Sequence, residues 1–277
     1  MPLYQVVFLA VLQGVTEFLP ISSSAHLALT PWLFGWKDQT LVFDIALHLG
    51  TLLSILLYFW RDWIQLACQG FGVRYTNDPE LGKNPRLMWL IALATVPVGI
   101  AGLTLGDQAE NVWRFNHILI GAMLIGIGLL ILLAERLGQR RKGIGEITFM
   151  DTMLIGLSQA LALVPGTSRS GVTITAGLFR NIDRAAAARF SFLLSTPAIA
   201  AAAAKAVYEL AKQGGVAPDM RLPFVLGVVV SAITGCLVIA LLLRYLREHT
   251  LKFFGYYRIV FGIIIMVLAT IFRYRAG

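Results

Sequence analysis

Six stretches of the chain are apolar for long enough to cross a bilayer: residues 41–60, 87–105, 115–134, 190–211, 222–243 and 253–271. A helix rises about 1.5 Å per residue, so roughly 20 such residues cover the hydrocarbon core. The stretch 222–243 holds no charge and places Gly227, Ser231 and Gly235 four residues apart. Small residues at that spacing let helices approach closely. The alanine-rich run 198–204 predicts similar packing in its own segment.

Two more apolar stretches are interrupted. Residues 3–33 are broken at Glu17, Pro20 and Ser22-Ser23-Ser24, and residues 149–179 at the sequence VPGTSRSG, 164–171. Each piece is too short to span. Broken backbone at membrane depth survives only where protein buries it or a wet cavity borders it, so both stretches are predicted to be re-entrant helical hairpins. Setting Pro20 on Pro165 aligns Ser22-Ser23-Ser24 with Thr167-Ser168-Arg169, and three spanning segments follow each hairpin. Three crossings start the second unit on the opposite side of the membrane. The expected fold is all-α and polytopic, with six transmembrane helices plus two re-entrant hairpins. Residues 1–140 form one repeat and 141–277 its inverted copy, together one membrane domain.

Composition agrees. Hydrophobic residues make up 57% of 277 positions, charged residues 14%, and mean hydropathy is +0.74, outside the range of ordinary soluble domains. The first apolar stretch lacks the basic flank and small-residue cleavage site of a signal peptide, so the N-terminus is read as retained. The formal charge of +8 is read as basic loops meeting anionic lipid, or as suiting an anionic ligand, and not as a nucleic-acid surface. With the N-terminus outside, the inner regions hold Arg61, Arg74, Lys83, Arg86, Arg136, Arg140, Arg141, Lys142, Arg180, Arg184, Arg189, Arg244, Arg247, Lys252 and Arg258. The outer side holds only Lys37, Arg114, Lys205, Lys212, Arg221, Arg273 and Arg275. The positive-inside rule therefore places both termini outside. Cys68, read as lying in a polar loop, and Cys236, in an apolar run, have no metal-site spacing and are expected to stay unpaired.

Ionisable residues at membrane depth are costly and mark function. Here they are Glu17, His26 and Arg169. Gln13 and Glu17 are one helical turn apart, and Ser22 and Ser23 precede His26 by four and three residues, so one helix face could carry hydroxyls and imidazole together. A hydroxyl beside a histidine and a carboxylate is the grouping that activates a weak nucleophile. In the second break Gly166 and Gly171 permit tight turns, and Thr167, Ser168 and Ser170 supply hydroxyls. A helix beginning near Ser170 would present N–H groups, and Arg169 a forked cation, to phosphate oxygens. Blander roles exist: a membrane serine commonly bonds its own backbone, and Arg169 could simply neutralise Glu17. Asp44 and His48, one turn apart, are read as a hydrogen-bonded pair, and Trp32, Trp36, Trp60 and Trp63 as interfacial anchors.

The stretches QGVTEFLPISSSAH and PGTSRSG, in this order, closely resemble the two signatures of the bacterial undecaprenyl-diphosphate phosphatase family, also called bacitracin resistance proteins. FDIALHLGTLLSILLYFWRDW and RFSFLLSTPAIAAA extend the resemblance along the chain. It implies an inner-membrane hydrolase that removes the terminal phosphate of undecaprenyl diphosphate and returns the lipid carrier to envelope-polymer synthesis. On that resemblance Glu17, Ser22, Ser23, His26, Ser168, Arg169 and Ser170 fall on functional positions. Ser23 is the expected nucleophile, with His26 or Glu17 taking its proton; attack by Ser22, or directly by His26, stays open. Gln13 stands where similar proteins often carry glutamate, and an amide cannot serve as an anionic metal ligand. No tightly bound cofactor is expected, although the family is described as aided by Mg2+ or Ca2+, for which Glu17 is the candidate ligand. The expected partners are the lipid substrate and membrane lipids, with a homodimer left open and chemistry towards the outer face. The rival reading is an inverted-repeat transporter or flippase for undecaprenyl phosphate or another anion.

Overall fold

The computed structural model describes residues 1–37 and 40–275, without the side chains of Glu110 and residues 272–275. The outer-side charges Arg273 and Arg275 of the sequence count therefore lie outside the described side chains. Among the described residues the chain is all-helical: α1 Leu3–Phe18, α2 Ser23–Phe34, α3 Leu41–Tyr58, α4 Trp60–Gly70, α5 Pro79–Gly82, α6 Leu87–Asn111, α7 His117–Leu137, α8 Phe149–Ala160, α9 Arg169–Phe179, α10 Arg184–Lys212, α11 Arg221–Glu248 and α12 Lys252–Arg275. Six of these, α3, α6, α7, α10, α11 and α12, are long and apolar enough to span a membrane, as the hydropathy pattern requires.

The two broken stretches fold as helix pairs whose outer ends meet. Tyr4 at the start of α1 packs edge-on against Trp36 just beyond α2, with ring centroids 6.0 Å apart. Asp151 in the first turn of α8 accepts from Arg180 Nε, just past α9, at 2.7 Å. Between the helices the chain turns through Ser22 and Ser168, both at positive φ (78° and 69°). Non-glycine residues held there cost about 1–3 kcal/mol and persist only where their surroundings impose them.

Helix packing follows residue size. Gly50 of α3 faces Ser231 of α11 so closely that a Cβ would lie 1.8 Å from Ser231 Oγ, and Gly227 and Gly235 are filled by Phe43 and Ser54. The small-residue stripe thus seats α3. The alanine run behaves differently: Ala201, Ala202 and Ala204 are exposed and Ala203 alone of these is buried, so that face of α10 points outward instead of into a packed seam. Before Pro197 the helix packs into the core, where Phe192 meets Phe18 at 5.4 Å between ring centroids; beyond it Ile199 still joins that core.

Several of the basic residues counted along one side are knots and not free loops. Arg189 reaches Asp62 of α4 and Asp78 at 2.7 and 2.5 Å, and Arg184 holds Glu135 of α7. Cys68 lies within α4, because the polar positions there belong to an amphipathic helix; both cysteines are free thiols. Trp32 stacks on His117 at 4.4 Å, and Trp63, half-buried, packs against the main core.

Candidate functional site

Break meets break. The first residues of α2 and α9 lie together at the centre of the chain's fold, joined by three contacts across the halves. Arg169 Nη2 donates to Glu17 Oε1, Ser170 Oγ donates to the carbonyl of Leu19 at 3.1 Å, and Gly166 N donates weakly to Ser24 Oγ at 3.5 Å. Both helices begin here, so their first backbone N–H groups, which have no preceding turn to donate to, sit at the junction. A helix N-terminus favours anions, and two beside a guanidinium favour a polyanion.

The caps match in detail. Ser22 Oγ accepts from Ala25 N and pairs with Ser24 Oγ at 3.1 Å; Ser168 Oγ accepts from Gly171 N and pairs with Ser170 Oγ at 3.2 Å. Structurally, Ser22-Ser23-Ser24 therefore corresponds to Ser168-Arg169-Ser170, one residue later than alignment on the prolines suggests. The second break has one more residue between proline and cap: Pro165-Gly166-Thr167-Ser168 against Pro20-Ile21-Ser22. Ser23 and Arg169 hence occupy the same first-turn position of their helices, and both reach Glu17.

Glu17 is the hub. Its Oε2 accepts from Ser23 Oγ at 2.5 Å and from Gln13 Nε2 at 3.1 Å, while Oε1 takes Arg169. The one-turn spacing of Gln13 and Glu17 is realised as a bond. Glu17 is buried, whereas Ser23 and Arg169 are half-exposed and Ser24 is exposed, so the hydroxyl and the guanidinium form the accessible face. Ser168 and Ser170 are spent on the cap and the inter-break contact. Thr167 Oγ1 and Gln13 Oε1 are buried without a hydrogen-bond partner among the described residues, as are both amide atoms of Gln159.

His26 stands apart from Ser23. Its Nδ1 lies 2.7 Å from the carbonyl of Ser22 and its Nε2 2.8 Å from Tyr257 Oη. A carbonyl only accepts, so Nδ1 carries the proton, and in the neutral ring Nε2 accepts from the phenol. The ring clusters with two nearly parallel partners, Phe261 at 4.8 Å and Tyr257 at 5.9 Å between centroids, which are themselves 5.7 Å apart. The shared hydroxyl–imidazole face expected from the spacing is not formed: Ser22 reaches His26 through its carbonyl, and Ser23 turns to Glu17.

Asp44 and His48 also part company. His48 Nδ1 bonds the backbone carbonyl of Asp44 at 2.8 Å, while the Asp44 carboxylate pairs with Arg114 at 2.8 Å. The (i, i+4) register brings the imidazole to the carbonyl of the preceding turn, and the short aspartate side chain is drawn to the cation.

Sequence reading assigned Arg258 to an inner loop. It is instead fully buried in α12 and donates to the carbonyls of Pro20 (3.1 Å), Gly166 (2.7 Å) and Thr167 (2.9 Å). Its Nε also meets Leu124 O at 3.3 Å. Those carbonyls are the ones that the breaks deprive of helical partners, so Arg258 pins both breaks at once. An arginine beside a tyrosine inside an apolar run was the available signal.

Glu17 offers the only carboxylate within hydrogen-bond reach of Ser23 and Arg169 among the described residues, and both its oxygens are taken. No group of three or more His, Cys, Asp or Glu gathers among the described residues. A guanidinium bonded to the only candidate ligand does not fit a resident divalent cation.

The class is that of a polytopic helical membrane protein, with an Arg–Glu pair whose carboxylate is buried, a bonded hydroxyl and two helix N-termini gathered at one junction, an arrangement able to hold an anion. The chain belongs to the bacitracin resistance protein BacA family, whose model matches residues 6–264. It is 46% identical over 270 residues to an undecaprenyl-diphosphatase of Pelotomaculum thermopropionicum, covering 97% of each chain. To the undecaprenyl-diphosphatase of Thermodesulfovibrio yellowstonii it is 45% identical over 268 residues, covering 96% of this chain and 97% of that one. To that of Thermomicrobium roseum it is 43% identical over 279 residues, covering 99% and 100%.

Proposed function

We propose that this chain is an undecaprenyl-diphosphate phosphatase that releases the terminal phosphate of the lipid carrier at the junction of the two breaks. The observation that carries the reading is the Ser23–Glu17–Arg169 chain of contacts: a half-exposed hydroxyl bonded at 2.5 Å to a carboxylate that is itself bonded to a guanidinium. Full-length relatives named for this activity support the substrate.

In the mechanism Ser23 Oγ attacks the terminal phosphorus in line, and its proton passes along the existing bond to Glu17 Oε2. The P–O bond to the inner phosphate breaks and prenyl phosphate leaves, taking the bonding pair as a stable oxyanion. Arg169 and the first N–H groups of α2 and α9 hold the equatorial oxygens; phosphoryl transfer asks mainly for such positioning and charge. Arriving phosphate competes with Glu17 for Arg169, which loosens the resting ion pair and frees the carboxylate to act as base. Glu17 passes the serine proton to the departing prenyl phosphate or to solvent and is a carboxylate again. Water then attacks the phosphoserine, giving its proton to Glu17, while the P–O bond to Ser23 breaks and the serine oxygen regains a proton from Glu17 as inorganic phosphate leaves. His26, held by Tyr257 and the Ser22 carbonyl, fixes the turn that presents Ser23. Ser22, Ser168, Ser170, Thr167 and Gln13 shape the cradle.

Both helix pairs act as re-entrant hairpins, and residues 1–140 and 141–277 as inverted repeats. The matched serine caps support this, as does the packing of α1 on α11 and of α8 on α6, each hairpin on a helix of the other half. On the charge pattern both termini face outward from the bacterial inner membrane, with the site towards the outer face. The transporter alternative is disfavoured by Arg258, which ties the two breaks together where alternating access would part them.

The test is phosphate release from undecaprenyl diphosphate by purified protein, with Arg169→Ala beside it. Release that collapses in the variant supports the reading; intact, lipid-binding protein without release overturns it.

A further inference from the structure

An open groove of about 320 Å³ runs along α12, lined by Phe253, Tyr256, Tyr257, Val260, Phe261 and Ile264. These positions recur every three or four residues and form one face of the helix, about 16 Å long at 1.5 Å per residue. Two of the six also touch the site: Tyr257 Oη bonds His26 Nε2 at 2.8 Å and Phe261 stacks on the same ring at 4.8 Å. The groove therefore borders, along its middle, the imidazole whose own backbone turn carries Ser23. A second open cavity, bordered by Trp32, Phe115, Asn116 and His117, mixes polar and apolar groups and sits at the far end of α2.

We infer that this face of α12 seats the prenyl chain of the diphosphate substrate, its first units packed against Tyr257 and Phe261. The inference rests on the phosphatase reading. A phosphorus within reach of Ser23 places the attached chain near His26, and the apolar groove that adjoins His26 through Tyr257 and Phe261 is this one. Flat unsaturated units suit the nearly parallel faces of Tyr257 and Phe261, which lie 20° apart in plane. An acyl chain of bulk lipid would have no phosphate anchored at Ser23.

Val260 and Ile264 are 57% and 48% exposed, so tryptophan can be placed at either without disturbing the core. Val260→Trp and Ile264→Trp should raise KM for undecaprenyl diphosphate about tenfold, the loss of a modest apolar contact, and leave kcat within about twofold. Leu103→Trp, at a position 84% exposed on α6, should match the parent. An undecaprenyl diphosphate analogue with a diazirine in its first isoprene units should label the 253–264 stretch on irradiation. Parent-like KM in both groove variants, or labelling confined to other helices or to a second copy of the chain, overturns the inference while the phosphatase reading stands. Labelling at 253–264 by a protein that releases no phosphate keeps the groove and removes the hydrolysis.

Discussion

Replacing Arg258 by methionine keeps much of the side-chain volume and removes the donors that hold the breaks. Three carbonyls, those of Pro20, Gly166 and Thr167, would lose a donor at 3.1, 2.7 and 2.9 Å in a place that excludes water. A buried acceptor left without a partner costs about 1–3 kcal/mol, so three cost roughly 3–9 kcal/mol. Against this stands relief from burying a guanidinium whose described hydrogen bonds all go to backbone carbonyls and none to a carboxylate, worth several kcal/mol. The net expectation is a loss of about 3 kcal/mol, or roughly 5–10 °C in Tm for a domain of this size. The effect on rate is larger than on affinity. Pro20 O lies two residues before the Ser22 cap and Thr167 O one before the Ser168 cap, so freeing them lets Ser23 and Arg169 drift apart, and a 1 Å misplacement costs on the order of 100-fold. The assay is kcat and KM for phosphate release in detergent, with Tm by thermal unfolding. Arg258→Lys should recover most of the stability and only part of kcat, because the three donors of an ammonium leave one nitrogen and cannot reproduce the spread of the guanidinium, whose Nη1 reaches Pro20 while Nη2 reaches Gly166 and Thr167. Parent-like kcat in folded Arg258→Met protein would refute the positioning argument.

Glu17→Gln should lower kcat by about 100- to 10,000-fold, the range for a lost general base, measured by the same phosphate assay. Tyr257→Phe keeps the ring stack and deletes the donor to His26, so kcat should fall about tenfold with stability changed by only about 1 kcal/mol; an unchanged rate would take His26 orientation out of the account. Gly50→Ala drives a Cβ to 1.8 Å from Ser231 Oγ and 2.4 Å from Val228 O and should destabilise by about 1–3 kcal/mol or more. Adding Ser231→Gly should recover only part, since the backbone carbonyl remains. Burial pushes the Asp78 carboxyl up, but bonds from Arg189 and Glu80 N outweigh it and hold its pKa below the ordinary value. Its stabilisation is therefore fully present above about pH 4 and fades as pH falls through the lowered folded value. Asp78→Asn should melt below the parent near neutrality and converge with it in acid.

The spans, the two breaks and the polar residues within them were visible in the sequence because each obeys a local rule of length, periodicity or breakage. Gln13–Glu17, one turn apart on one helix, could be paired by spacing alone. The contacts that decide the chemistry could not. Arg258 and Tyr257 meet residues more than two hundred positions away, and near the end of an apolar run an arginine looks like a loop charge. The register of the two breaks slipped by one because proline, the visible landmark, is not what caps the helices; serine at positive φ is. The activating partner of Ser23 was ambiguous for a related reason, since His26 is nearer in sequence while Glu17 is brought close only by the turn at Pro20.

The central claim is that Ser23 receives the phosphate. Rapid quenching of the purified protein with undecaprenyl diphosphate labelled in its terminal phosphate, followed by peptide mapping, tests this most directly. The account predicts a transient label on the peptide containing Ser23, absent in Ser23→Ala and accumulating in Glu17→Gln if the second step slows more than the first. Label on His26, or undiminished turnover by Ser23→Ala, would contradict it.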